Sequence, residues 1–250
     1  MTLSRPFSNV KTLLLIAAAI APAVSFGCGE QEFPPYVYPS VVPGGKTAAD
    51  FVPNGWKVLG TAEGDLNHDG KPDLAIVLQG TDKAYQWKNE GLGEPEVDQN
   101  PRMLVIALAN PAGGFRKLTQ NNNFIPVHDN PMADDPFDSI DIQRGLLNVQ
   151  FRMWMSAGSW SMSTTQYKFR YEDAAMRLIG YEYYHRHRAS GAEDIVSTNL
   201  LTGMQRAIRS DGESQKPKET WQKLKIGKKW TLDTLRSGPT FDETPVPSNP

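Results

Sequence analysis

The sequence predicts a mainly β fold, an antiparallel meander of the sandwich-like or partial propeller-like kind with little helix. Short apolar or alternating runs recur along residues 47–237, and each is bounded by glycine, proline, asparagine or aspartate. No long stretch repeats its apolar residues with the period of an amphipathic helix. We therefore expect about eight to ten strands, joined by short turns, in a single domain over residues 47–237.

The first half of this domain begins with a helical turn at residues 47–51, which Pro53 ends. Continuous apolar runs after it indicate buried strands. A turn rich in proline and glycine then leads into another short run, as in a hairpin. The strands predicted for this half are residues 56–60, 73–78, 103–108 and 115–118.

The second half repeats this arrangement. Residues 166–171 alternate polar and aromatic side chains, which is the period of a half-buried strand. Chain reversals are predicted at Arg144-Gly145 and near Asp173-Ala174. The strands predicted here are residues 139–142, 146–151, 166–171, 177–183, 223–226 and 230–232.

The segment with the most specific chemistry is the aspartate-rich stretch at residues 64–74, between two predicted antiparallel strands. It has oxygen-bearing side chains at loop positions 1, 3, 5 and 9, and Gly70 at position 6 allows a sharp turn. Calcium takes about six to eight oxygen ligands, which such a loop can direct inward. The predicted structural Ca²⁺ site consists of the side chains of Asp65, Asn67, Asp69 and Asp73 and the backbone carbonyl of Lys71.

Two resemblances accompany these residues. Residues 64–74, with Gly113-Gly114-Phe115 after them, resemble one blade of an FG-GAP or VCBS-type propeller repeat. In that family the loop residues equivalent to Asp65, Asn67, Asp69 and Asp73 bind calcium, so the resemblance implies the same here. A longer resemblance is to a set of uncharacterised secreted bacterial proteins and lipoproteins, and it implies export and one domain but no activity. It is carried by residues 51–56, 64–67, 168–171, 178–181 and 197–203.

The N-terminus predicts export. Arg5 and Lys11 precede a short apolar run, so residues 1–27 are read as a signal peptide. Cleavage by ordinary signal peptidase at residues 21–23 is one alternative. The one favoured here is lipidation of Cys28, the only cysteine in the chain, which leaves the proline-rich residues 28–46 as a linker that tethers the domain to the membrane. The chain would then be a periplasmic or outer-membrane lipoprotein, with secretion as the alternative, and residues 238–250 are read as a disordered tail.

Charge and cysteine content narrow the function classes. The formal net charge is 26 − 28 = −2, and it becomes 24 − 28 = −4 when residues 1–27 are removed. Such mild acidity argues against nucleic acid as a partner. A single cysteine allows no intramolecular disulfide, so an exported domain must depend on its core or on a bound ion.

Three other segments carry chemistry of lower specificity. The acidic run at residues 128–138 lacks the alternate spacing of a cation loop and is read as a surface loop. His185 and His187 share one face of a strand, without a third zinc ligand at a recognisable spacing. The hydroxyl-rich residues 154–165 contain Trp154 and Trp160, which either pack on the sheet or bind sugar or peptide.

The function that the sequence favours is an exported, non-enzymatic β domain that binds an unknown protein or glycan at the cell envelope and is stabilised by Ca²⁺. No catalytic residue is assigned. One alternative is an exported hydrolase of glycan or peptide, with acids drawn from Asp134, Asp138 and Glu182. A periplasmic enzyme inhibitor is the other.

Overall fold

A computed structural model describes residues 36–213 and 216–236, and it confirms the mainly β fold. The helical content of these residues is three single 3-10 turns, Ala48–Phe51, Lys83–Tyr85 and Leu232–Thr234. The strands are β1 (Gly44–Gly45), β2 (Trp56–Gly64), β3 (Asp73–Gly80), β4 (Gln86–Lys88), β5 (Glu96–Asp98), β6 (Arg102–Ala109), β7 (Phe115–Asn121), β8 (Phe137–Gln143), β9 (Leu146–Met153), β10 (Ser161–Glu172), β11 (Ala175–His187), β12 (Glu193–Asn199), β13 (Met204–Ser210) and β14 (Lys218–Lys223).

The first sheet has five strands in the order β1-β7-β6-β3-β2, all paired antiparallel. Its central strands are continuously apolar because both of their faces are covered. Ile76 and Leu78 of β3 pack on one side with Phe51 and Trp56. Val77, the neighbour between them, packs on the other side against the second sheet.

The second sheet is a seven-stranded meander, β14-β13-β12-β11-β10-β9-β8, that curls into a half-barrel. Its inner face presents aromatic and aliphatic side chains to the first sheet, and Phe124 makes edge-to-face contacts at their centre. The main core therefore lies between the two sheets, while β4 and β5 form a separate two-stranded ribbon.

The sheets meet where β2 lies beside β8, and two glycines of β2 make this approach possible. A Cβ placed on Gly60 would lie 3.0 Å from the Phe137 ring, and one placed on Gly64 would lie 2.5 Å from Cγ2 of Ile142. Absence of a side chain at these two positions allows the side chains of β8 to rest directly on the backbone of β2.

The segment before β2 packs against the first sheet. Val41 is buried, and its amide donates to Oε1 of Gln120 over 3.0 Å. Lys117 donates its amide to the carbonyl of Pro43 over 2.9 Å. Residues 39–45, which the sequence assigned to the linker, thus lie along β7. The signal peptide, Cys28 and the tail at 238–250 lie outside the described residues.

Residues 223–232 differ from the sequence prediction. The predicted strand pair at residues 223–226 and 230–232 does not form, because β14 ends at Lys223. Trp230 and Leu232 instead enter the main core from a non-strand segment, with a single bridge between Arg177 and Thr231.

Candidate ion-binding loop

The aspartate-rich loop connects two paired strands, as the sequence predicted. β2 ends at Gly64 and β3 begins at Asp73, which is its register partner. Within the loop, Leu66 is fully buried in the main core. His68 and Gly70 have φ angles of 61° and 80°, so the chain turns through the left-handed region twice in three residues.

Side chains at loop positions 1 and 3 hold this turn by binding backbone amides. Oδ1 of Asp65 accepts from the amide of Asp69 over 3.1 Å, and Oδ2 accepts from Gly70 over 2.8 Å. Oδ1 of Asn67 also accepts from the amide of Asp69, over 3.1 Å. Such Asx-type bonds give the loop a fixed curvature.

The carboxylate at position 5 joins the same cluster. Oδ1 of Asp69 accepts from the amide of Lys71 over 2.9 Å, and Oδ2 accepts from the Asn67 amide group over 3.1 Å. Asp65 and Asn67 thus both bind the amide of Asp69, Asn67 also binds the Asp69 carboxylate, and Lys71 joins the cluster through its backbone amide.

Asp73, at position 9, is fully buried. Its Oδ2 accepts from the amide of Leu66, and its Oδ1 accepts from the amide of Ala109 at the end of β6, each over 2.8 Å. Burial raises the pKa of this carboxyl. The hydrogen bonds from backbone amides oppose that rise, and the nearby charge of Asp69 adds to it. Asp73 forms no ion pair with any lysine, arginine or histidine in the part of the chain that the structure describes.

The loop also contacts the second sheet. Gly145, in the turn between β8 and β9, has a φ of 76°, and a Cβ there would lie 2.3 Å from Cε1 of His68. His68 therefore lies directly on the backbone of that turn. Leu66 packs in the main core, Asp73 binds the end of β6, and His68 lies on the turn between β8 and β9. The loop therefore contacts three separate parts of the fold.

The oxygen-bearing side chains of the loop are chemically of the type that a hard cation binds. Within residues 36–213 and 216–236, no three His, Cys, Asp or Glu side chains are placed so that they could together hold a metal ion. The ligands predicted from the sequence, which include the Asn67 side chain and the Lys71 carbonyl, are all oxygens, and calcium accepts such a set. Each carboxylate oxygen that accepts one amide keeps a second lone pair for a cation.

The acidic run at residues 128–138 is used in ion pairs and hydrogen bonds. Asp135 binds Arg102 through both carboxylate oxygens. Asp134 pairs with Arg152 over 2.6 Å, and Asp138 accepts from Gln150 over 2.7 Å. These contacts suit the surface-loop interpretation, with Asp135 reaching inward to a buried arginine.

The three acids named for a hydrolase are held by basic or amide side chains. Asp134 and Asp138 lie on either side of Arg152, at 2.6 and 4.0 Å. Glu182 pairs with Lys168 over 2.6 Å on β11, three strands away from β8. At the usual spacing between strands, that separation is on the order of 14 Å, more than a pair of glycosidase carboxyls spans.

The histidine pair and the tryptophan segment have structural partners. His185 lies 3.7 Å from Asp194, and His187 contacts the hydroxyl of Ser190 at 2.9 Å. The guanidinium carbon of Arg188 lies 5.0 Å from the ring centroid of Trp154 and 5.8 Å from that of Trp160. The Arg188 guanidinium also donates hydrogen bonds to the carbonyls of Met155 and Ser159, so this arginine orders the loop between β9 and β10.

Sequence reasoning missed Ala109 and Gly145 as neighbours of the loop. Ala109 contributes only its backbone amide, and Gly145 contributes only the space left by its missing side chain. Neither contribution leaves a signal in residue type or spacing, since both contacts are long-range.

No helix in the described residues has the length and apolar character needed to cross a bilayer. Comparison of the chain with protein-family models, with curated proteins and with solved structures finds no match.

Proposed function

We propose that this chain is an exported binding domain of the bacterial envelope whose aspartate-rich loop holds a structural Ca²⁺ ion. The proposed ligands are the side chains of Asp65, Asn67, Asp69 and Asp73 and the carbonyl of Lys71. The observation that carries the proposal is Asp73, a fully buried carboxyl with a raised pKa and a second carboxylate, Asp69, close enough to raise it further.

A buried carboxylate is costly unless an opposite charge or several hydrogen bonds offset the loss of water. Asp73 has two amide donors, yet its charged form is still disfavoured by burial. A divalent cation would supply the missing positive charge, once Asp65 and Asp69 turn from the backbone amides that they bind here to join Asp73 around it. The ion would thereby strengthen the contacts that join β2 and β3 to β6 and to the turn between β8 and β9.

The anchor and the partner belong to the same proposal. With a lipid on Cys28, residues 29–35 separate the anchor from the segment that packs on the first sheet. Seven residues span at most roughly 25 Å when fully extended, so the domain would stay close to the membrane surface. In this setting the domain binds an envelope protein or glycan, and it performs no catalysis.

The test is thermal unfolding of the purified exported protein in calcium and in excess chelator. An extracellular site with a Kd near 10⁻³ M, in about 10 mM calcium, stabilises the fold by about 1.4 kcal/mol. For a domain of this size we expect a rise in Tm of roughly 3–6 °C. Isothermal titration with calcium, and separately with magnesium, gives the affinity directly.

Two variants make the result specific to the loop. Asp69→Asn removes a charge from the proposed ligand set but retains an acceptor for the Lys71 amide. Asp173→Asn removes the same charge from an exposed turn of the second sheet, where φ is 51° and asparagine is tolerated. Calcium should raise the Tm of the wild type and of Asp173→Asn by the same amount and that of Asp69→Asn by less, because the amide oxygen is an uncharged and weaker ligand. Equal midpoints with and without calcium in all three proteins would refute the ion site.

A further inference from the structure

We infer that β14 is a pairing edge through which two copies of this chain join antiparallel, with Trp221 opposite Trp221 across the two-fold axis. This inference does not depend on the ion site. It starts from the position of β14 at the end of the seven-stranded sheet, where no described strand pairs with its outer edge. The other end of that sheet, β8, lies against β2 and is covered.

An open edge offers a row of unpaired amide and carbonyl groups to another strand. All six residues of β14 are exposed, and 60% of the surface of Trp221 is accessible. Trp221 lies opposite Arg206 on β13, and the guanidinium carbon is 5.9 Å from its ring centroid. Its indole nitrogen donates to Glu219 over 2.7 Å, so the exposed ring is held in one orientation.

Strand geometry limits how β14 can pair with its own copy. Residues directly opposite each other must point to the same face and turn their backbone groups the same way. For two identical strands related by a two-fold axis, one residue of the first copy must therefore lie opposite the same residue of the second copy, with the axis between them. The choices within the central part of β14 are Glu219, Thr220, Trp221 and Gln222.

Charge selects among these registers. With Trp221 facing itself, Glu219 of each copy lies opposite Lys223 of the other, which gives two pairs of opposite charge on the same face as the tryptophans. With Glu219 facing itself, two carboxylates oppose each other, which is unfavourable. Within β14, the registers centred on Thr220 or Gln222 put no acid opposite a base. The complementarity of Glu219 and Lys223 across the axis is the observation that indicates a second copy as the occupant.

Glu219 is already held in place for this contact, whereas the Lys223 ammonium donates to the carbonyl of Thr202 and would turn from it to reach Glu219 of the other copy. Glu219 accepts two hydrogen bonds from Arg206, over 3.0 and 3.2 Å. These bonds and the hydrogen bond from the Trp221 indole lower the pKa of the Glu219 carboxyl, so the carboxyl is ionised at neutral pH. Beyond Trp221, the outer face continues with Ile195, which is 40% exposed. The paired sheets would form one continuous sheet with the two tryptophans at its centre.

The experiment is sedimentation velocity of the purified exported protein over a range of concentrations, with two charge variants measured alone and mixed. Glu219→Lys places lysine opposite Lys223 at both ends of the interface, and Lys223→Glu places glutamate opposite Glu219. Each variant alone should weaken the dimer at least tenfold. An equimolar mixture should restore it, because every pair in the mixed dimer is then attractive.

Lys218→Glu is the matched control, since it makes the same charge change on the opposite face of β14 and should leave the dimer intact. A second variant, Trp221→Lys, removes the central contact and should also give monomers. Circular dichroism and the thermal midpoint establish that each variant is folded. A wild type that sediments as a monomer at every concentration, or a mixture no stronger than its components, would overturn the inference.

Discussion

Arg102 and Asp135 form a bidentate ion pair over 2.7 and 2.6 Å that joins the centre of the first sheet to the segment entering the second. The arginine side chain is 1% exposed, whereas that of Asp135 is 40% exposed. Arg102 also donates to the carbonyl of Pro126 and to Gln79, whose own amide binds Asp98. A fully buried guanidinium thus depends on one carboxylate for its counter-charge.

We expect Asp135→Ala to destabilise the protein by about 2–3 kcal/mol. Breaking a fully buried pair costs about 3–5 kcal/mol, and partial access of water to this site reduces the loss. Asp134→Ala is the control, because its partner Arg152 is 46% exposed and such pairs contribute about 0–1 kcal/mol. Urea unfolding of both variants measures the difference. Equal losses for the two neighbours would show that Arg102 does not require this carboxylate.

Gly64→Ala tests the close approach of β2 and β8. The new methyl group would lie 2.5 Å from Cγ2 of Ile142 and 3.1 Å from its carbonyl oxygen, so a shift of β8 is required. We expect a loss of about 1–3 kcal/mol, as in other overpacked cores.

Its control is Gly227→Ala, where a Cβ meets nothing within 4 Å. The combination Gly64→Ala with Ile142→Ala should recover part of the loss relative to the sum of the two single changes. Chemical denaturation provides all four values. A Gly64→Ala protein as stable as Gly227→Ala would contradict the packing described here.

Ala174→Gly should stabilise the protein, although glycine in place of alanine usually does the reverse. Ala174 lies in the turn between β10 and β11 with a φ of 59°, where a Cβ costs about 1–2 kcal/mol. Part of that gain is lost to the greater freedom of glycine in the unfolded chain, so we expect about 0.5–1 kcal/mol. Ala175→Gly, one residue later in β11, should destabilise instead. Differential scanning calorimetry distinguishes the two signs.

The stabilisation by calcium should grow as the pH rises. In chelator, burial raises the pKa of Asp73, so the folded state binds a proton more readily than the unfolded state. That contribution to stability is present at low pH and is lost as the pH rises through the folded pKa. A bound cation favours the ionised carboxylate and reverses the sign.

The difference in unfolding free energy between calcium and chelator should therefore widen from the ordinary aspartate range up through the raised folded pKa. Taking this difference at each pH cancels the contributions of groups that do not bind calcium. One such group is Glu172, whose pKa the neighbouring Arg177 lowers. Unfolding in calcium and in chelator across a pH series measures it. A difference that stays constant with pH would show that Asp73 is not a ligand.

The hairpins of the fold could be predicted because their turns carry local signals. Gly113, Gly114 and Gly145 all adopt positive φ at the expected turns, and the aspartate-rich loop joins the two expected strands. The strands β12 and β13 were missed because they lie near the end of the half-barrel and bury polar side chains. Gln205 there donates to Thr198 over 2.8 Å in place of an apolar contact. Without apolar alternation, the period-two signal disappears.

Residues near the C-terminal end misled the prediction for the opposite reason. Trp230 and Leu232 have the apolar character of a strand, but they fill the core beside Asn121, whose amide donates to the carbonyls of Leu232 and Leu235. Apolar residues indicate burial, and a segment can be buried without joining a ladder. The position of Asp73 against Ala109 was equally hidden, since it depends on how β3 and β6 pair.

Strand β1 comes first in the chain, yet Gly44 and Gly45 pair with Arg116 and Phe115 of β7. As the chain is synthesised, this segment cannot find its place until most of the first sheet has been made, because its partner strand is translated much later. Hairpins such as β2–β3 and β6–β7 have no such delay and can close as they emerge. The segment that contains β1 would thus stay undocked while these hairpins close, and its docking along β7 would complete the first sheet.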